Sequence, residues 1–201
     1  MRSDPLSLLA EQLREEDSLL SPHVVEPAPG SAGLGMLAAA GRGAADGPAV
    51  GASYALLIES IREGYLLHYA TPRVLAGLDP DLALLAGDYL FARGIEQLAA
   101  LGDLGALREL VDLIALSAQI HGGASDRAQA NAPPLWLACV GAVAAGPSDG
   151  HEAAKRSLIV AAPEAGRILA AAARETARRG GLDEQLSIAA ESIGFPIAAT
   201  P

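Results

Sequence analysis

The sequence predicts an all-α protein, and three observations carry that prediction. Apolar residues fill 51% of its 201 positions but aromatic ones only 3%. The hydrophobic content is therefore mostly Ala, Leu, Val and Ile, led by the strongest helix formers, and small Ala faces let helices approach closely. Apolar positions recur at helical spacing, as at Tyr54, Leu57, Ile58, Ile61 and Tyr65. The runs of β-branched and aromatic residues that strands need are nearly missing; Leu158–Val160 is the best candidate, and it is short.

Taken in order, Asp4-Pro5 reads as an N-cap with proline at the first helical position, opening a helix through about Glu16. Ser21–Gly35 holds three prolines and three glycines and reads as a loop or arm. A short helix at about Met36–Ala40 and a loop at Gly41–Gly47 follow. The next helix spans about Pro48–Tyr69, with Glu59, Arg62 and Glu63 off its apolar face, and Thr71-Pro72 stops it. Asp79 and Pro80 start another, which runs to Leu101 and ends at Gly102. Leu104–His121 carries two apolar faces, one through Leu107, Leu110, Val111 and Ile114, the other through Leu113, Leu116 and Ile120. Such a helix lies between neighbours or in an interface. Gly122-Gly123 ends it, and further helices are expected at about Pro134–Ala145, His151–Ala161, Pro163–Arg179 and Leu182–Ile193.

The length fits a single helical domain over residues 1–201, with 21–35 as its Pro/Gly-rich loop or arm. A net charge of −10 and the absence of a basic stripe disfavour nucleic-acid binding. Lys155-Arg156 and the Arg174, Arg178, Arg179 group read as solvated helix faces. Cys139 is the only cysteine, so no intrachain disulfide can form, and a small buried hydrophobe is its expected role. Met1-Arg2-Ser3-Asp4-Pro5 leads into a charged amphipathic stretch rather than a signal peptide. Ala128–Ser148 has no formal charge, but Pro133, Pro134 and Gly141 leave an apolar run shorter than the ~20 residues of a span. A buried helix is expected there, and a cytoplasmic location follows, with peripheral membrane contact left open.

Motifs for chemistry are sparse. Gly30–Gly35 lacks the lysine of a phosphate-cradling loop, and no G-x-S-x-G elbow occurs. The four histidines, His23, His68, His121 and His151, are scattered along the chain, and the His23–Glu26 pair has no third ligand nearby. No metal site is expected. Asp88 falls on a wheel face with Leu84, Phe91 and Ile95. A carboxylate there is either a site group or a buried aspartate holding a neighbouring helix; the second is the expectation, because it stands alone. Glu96, two turns later, could salt-bridge Arg93 or an adjoining helix.

Two stretches resemble the trans-prenyl diphosphate synthases. Glu59-Ser60-Ile61-Arg62-Glu63-Gly64-Tyr65-Leu66-Leu67-His68 looks like the family's helix before its first aspartate-rich motif. Leu85-Ala86-Gly87-Asp88-Tyr89-Leu90-Phe91-Ala92-Arg93-Gly94-Ile95-Glu96 resembles the start of its next long helix. The resemblance covers about Leu34 to His121 and implies a shortened antiparallel helical bundle of the isoprenoid-synthase type. The family's three metal-binding aspartates fall on Tyr69, Ala70 and Arg73, none of which can anchor Mg²⁺. Its Gly-Lys-x-x-Arg grip would lie near Ser31–Gly35, which has neither Lys nor Arg, and no second Asp-Asp-x-x-Asp follows.

What the resemblance implies is a chain similar to the small subunits of heteromeric prenyl synthases, without activity of its own. It would bind a catalytic polyprenyl diphosphate synthase, and Mg²⁺ would be needed only in that partner. Tyr65, Tyr69, Asp88, Tyr89 and Phe91 become candidates to line or plug the former chain-binding cavity, the tyrosines first as core aromatics. Leu107, Val111, Ile114, Leu116 and Ile120 become interface candidates, on helices like those the family uses in dimers. Arg73 is expected to be a loop arginine in solvent. The alternative is an accessory structural subunit of a larger complex, such as a quinone-linked one at a membrane, docking through Pro133–Gly146.

Overall fold

A computed structural model describes residues 4–122 and 129–197. Its nine α-helices, among the described residues, are α1 (Pro5–Glu15), α2 (Gly33–Asp46), α3 (Pro48–Tyr69), α4 (Pro80–Leu101), α5 (Leu104–Gly122), α6 (Ala132–Ala145), α7 (His151–Ile159), α8 (Ala165–Gly180) and α9 (Asp183–Ser192). The all-α class is therefore as the sequence predicts, and Leu158 and Ile159 close α7 rather than form a strand. Gly123 and Ala128, where an end of α5 and the start of the uncharged stretch were expected, lie outside the described residues, as do Met1, Arg2 and Ser3.

Capping follows the local sequence. The Asp4 carboxylate accepts a bond of 2.9 Å from the Ser7 N–H, and Asp79 accepts from Asp81 and Leu82 at 3.0 Å each. These satisfy amide groups that the first turn of a helix leaves without partners. Gly102 ends α4 with φ of 73°, a left-handed cap that a side chain would strain.

The uncharged helix α6 lies in the middle of the molecule. Every residue from Pro134 to Ala144 is buried, and α6 packs on α2, α5, α8 and α9. A helix that is apolar all round has only an interior to occupy. Pro133–Gly146 is therefore core and not the docking surface of the alternative expectation. A second, smaller core joins Leu6, Leu9 and Leu13 of α1 to Val74, Leu75, Ala86 and Leu90. Among the described residues, no helix is long and apolar enough to cross a membrane.

Two local expectations are corrected by packing, that for α2 and that for Lys155, while the arm expected from Ser21 takes an ordered form. The helix expected from Met36 to Ala40 begins at Gly33 and continues through Gly41 and Gly43 to Asp46. Glycine weakens a helix by about 1 kcal/mol, but here it lets α2 lie against α3: a Cβ on Gly35 would sit 2.7 Å from the Ala55 carbonyl oxygen. The segment from Ser21 onward is an ordered arm. Its Val25 N–H donates to Val74 at 2.9 Å, and Ala76 N–H donates to His23 at 2.9 Å. Lys155, expected in solvent, is buried. Its ammonium meets Glu109 at 3.1 Å and Asp112 and Glu152 at 2.8 Å each, tying α5 to α7.

Candidate functional site

The site is built where α3 crosses α4. Gly64 and Gly87 meet there, so closely that a Cβ on Gly64 would lie 2.8 Å from the Gly87 carbonyl oxygen. The absence of side chains at Gly87 leaves room for His68, whose ring stacks on Phe91 with centroids 5.2 Å apart. Its Nε2 is 3.2 Å from Asp88 Oδ1. Asp88 is exposed, its side chain at 75%, which corrects the expected buried aspartate. The buried face of α4 runs through Ala86, Gly87, Leu90, Gly94 and Leu98, the small-residue side on which α3 docks. Leu84 is accordingly exposed.

Beside this crossing lies an aromatic cluster. The ring of Tyr69 stacks on His121 at 4.2 Å and 7°, and the Tyr65 hydroxyl is 2.9 Å from His121 Nε2. Tyr65 also meets the edge of Trp136 at 5.3 Å. The Arg62 guanidinium lies over both rings, 4.6 Å from Tyr65 and 4.8 Å from Trp136. The chain has only seven Phe, Trp and Tyr residues, and Tyr65, Tyr69, Phe91 and Trp136 are four of them. That concentration, with His68 and His121, marks this corner as distinct from the aliphatic core. Burial lowers the Arg62 pKa to about 10 and pushes the Tyr65 hydroxyl up. It holds His121 below the ordinary histidine value, so the ring stays neutral and can exchange a hydrogen bond with Tyr65.

On the other side of α3, Glu59 and Glu63 are fully buried, although the sequence placed both off the apolar face. Arg73 folds back from the loop after α3 to neutralise them. Its guanidinium is 2.8 Å from Glu59 Oε2 and 3.1 Å from Glu63 Oε2. The Arg73 and Val74 N–H groups donate to Glu63 Oε1 at 2.6 and 2.7 Å, and Gly35 N–H donates to Glu59 Oε1 at 2.6 Å. Burial works to lower the Arg73 pKa, but the two carboxylates outweigh it and hold the guanidinium above its ordinary value. Arg73 is a structural cross-link and not the solvent arginine that was expected.

Tyr65, Tyr69, Asp88 and Phe91 thus come together, and Tyr65 alone among the three candidate tyrosines is core. Tyr69 and Tyr89 are 37% and 41% exposed. Tyr89 faces away, donating to Glu16 at 2.8 Å, where Arg93 also pairs with Glu16 and takes Gln12 at 2.6 Å. Arg93 therefore turns to α1 rather than to Glu96, one of the two pairings open to that glutamate. Tyr89, Leu85, Leu82 and Leu19 line an apolar groove of about 510 Å³. Of the interface candidates, Leu116 and Ile120 are buried, Leu107 and Ile114 are half-buried, and Val111 is exposed. Arg62, His121 and Trp136 were missed. The one signal for them was the scarcity of aromatic side chains, which gives no pairing between residues so distant in sequence.

Fold and site together define an all-α bundle with an aromatic–histidine corner and a buried Arg–Glu cross-link beside it. No family model, curated protein or solved structure matches the chain.

Proposed function

We propose that this chain is a non-catalytic, prenyl-synthase-like subunit that supports or regulates a catalytic polyprenyl diphosphate synthase. The observation that carries the reading is what the side chains do at the positions corresponding to the family's metal carboxylates. Tyr69 is spent on a stack with His121, and Arg73 on Glu59 and Glu63. A phenol on an imidazole and a guanidinium between two carboxylates leave nothing to hold a divalent cation against a diphosphate. Ionising an allylic diphosphate would then fall to a partner that retains its aspartates.

The neighbouring helices supply the surface for such a partner. Leu84, Leu85, Tyr89 and Leu101 of α4 and Leu104 and Val111 of α5 are exposed. Single exposed leucines are ordinary, but six large apolar side chains on two successive helices suit association. The groove beside Tyr89 extends that apolar character towards α1.

The test is to mix the purified chain with an aspartate-rich polyprenyl synthase from the same organism, measuring association by native mass spectrometry and product formation with Mg²⁺. The reading expects a defined complex, with altered output from the partner and no turnover by this chain alone. Turnover without a partner would overturn it, and so would a chain that stays monomeric beside the synthase.

A further inference from the structure

We propose that Glu109, Cys139 and His151 form a binding site for a divalent transition-metal ion of the zinc type. These residues come from α5, α6 and α7, and are separated in sequence by 30 and 12 positions (109 to 139, 139 to 151). Folding brings a carboxylate oxygen, a thiol sulfur and an imidazole nitrogen within 4.8 Å of one another, all three residues buried. A tetrahedral zinc shell spaces its ligands about 3–4 Å apart, given metal–ligand bonds of about 2.0–2.3 Å. Closing the shell needs side-chain shifts of about an ångström and no change of fold.

A second observation is that the group is not fully satisfied within the protein. His151 has no exposure, and its Nδ1 has no hydrogen-bond partner, while Nε2 lies 2.7 Å from Glu109 Oε2. Buried imidazole nitrogens are normally paired, and metal-bound histidines use one nitrogen for the ion. The charges agree. Glu109, Asp112 and Glu152 carry three negative charges around one ammonium, Lys155. Lys155 keeps Asp112 and Glu152 if Glu109 turns to a metal, so the ion displaces one contact of a cation that has others. Asp112 and Glu152 are partly exposed, at 39% and 47%.

Thiolate, imidazole and carboxylate together suit Zn²⁺, and Co²⁺ is its spectroscopic stand-in. Binding replaces the Cys139 thiol proton with the metal and releases that proton to solvent. Because that proton is released on binding, affinity rises with pH. With the ion's two positive charges and the lost thiol proton, the group keeps one net negative charge, at its exposed rim.

The experiment titrates the metal-free protein with Co²⁺. The expected result is one ion per chain, with a sulfur-to-cobalt charge-transfer band that Cys139→Ala abolishes. Glu109→Gln is expected to weaken binding by at least about tenfold. A wild-type protein, folded by circular dichroism, that shows no such band with stoichiometric Co²⁺ overturns the proposal. A band unchanged in Cys139→Ala does the same. If that variant fails to fold, X-ray absorption of the zinc-loaded wild type decides: one sulfur at about 2.3 Å supports the site, and a shell of nitrogen and oxygen alone overturns it.

Discussion

Arg73 shows how a single residue settles the chemistry of its surroundings. Two carboxylates at zero exposure need compensating partners in an apolar interior. One guanidinium and three backbone N–H groups keep Glu59 and Glu63 engaged instead. Arg73→Ala is expected to destabilise the fold by about 3–5 kcal/mol, the usual cost of leaving buried charge uncompensated, as read by urea denaturation. Arg73→Lys should recover only part of that, since an ammonium cannot fork between two carboxylates. A loss below about 1 kcal/mol for Arg73→Ala would place the cross-link among ordinary surface pairs.

His121 makes a second prediction at the same scale. Burial depresses its folded-state pKa below the ordinary 6.5. Below that value the unfolded chain binds the proton more readily than the folded one, so stability falls as pH drops from 6.5 through the folded value. The expected outcome is a melting temperature whose decline over this window is shallower in His121→Gln than in the wild type. Glu109 adds a separate step at lower pH. Burial works to raise its pKa, but the hydrogen bond and charge of His151, with Lys155, outweigh it and hold the carboxyl below 4.5. Its contribution is present above 4.5 and lost as pH falls through that depressed value.

Among the elements, the α3–α4 pair depends on what glycine omits. Gly64, Gly87 and Gly94 are poor helix residues, yet each lies where the opposite helix comes too close for a Cβ. Gly64→Ala is expected to cost about 1–3 kcal/mol despite alanine's better propensity, because the new methyl would meet the Gly87 carbonyl and the Phe91 ring. The same variant should disturb the His68 stack on Phe91. A stabilised Gly64→Ala protein in chemical denaturation would show that the helices separate at no cost. The two-faced character of α5 was legible in its sequence, but which face stays open was not. Leu116 and Ile120 go to α6 and the core, while Leu104 and Val111 remain outside.

For the whole molecule, the exposed apolar side chains of α4 and α5 carry the remaining prediction. Leu104→Lys with Val111→Lys should leave the melting temperature nearly unchanged, since both side chains are already in water at 76% and 48%. Association with a catalytic partner should weaken at least tenfold, as charges at an apolar contact must be desolvated. Unchanged affinity in the double variant would move the interface elsewhere, with the groove beside Tyr89 next in order.

The sequence by itself determined the class and most of the helices. Helical periodicity, caps at Asp4 and Asp79 and the uncharged run that became α6 are local or compositional signals, and they survive packing. The tertiary structure decided which glycines sit inside helices, which charges are buried and which residues share a site. Gly41 and Gly43 read as a loop until α3 and α6 are present to receive them, and Glu63 reads as solvated until Arg73 returns to it. Glu109, Cys139 and His151 are uninformative apart and adjacent together. Propensity is a property of a few neighbouring residues, whereas burial and charge pairing depend on contacts between segments that no local window contains.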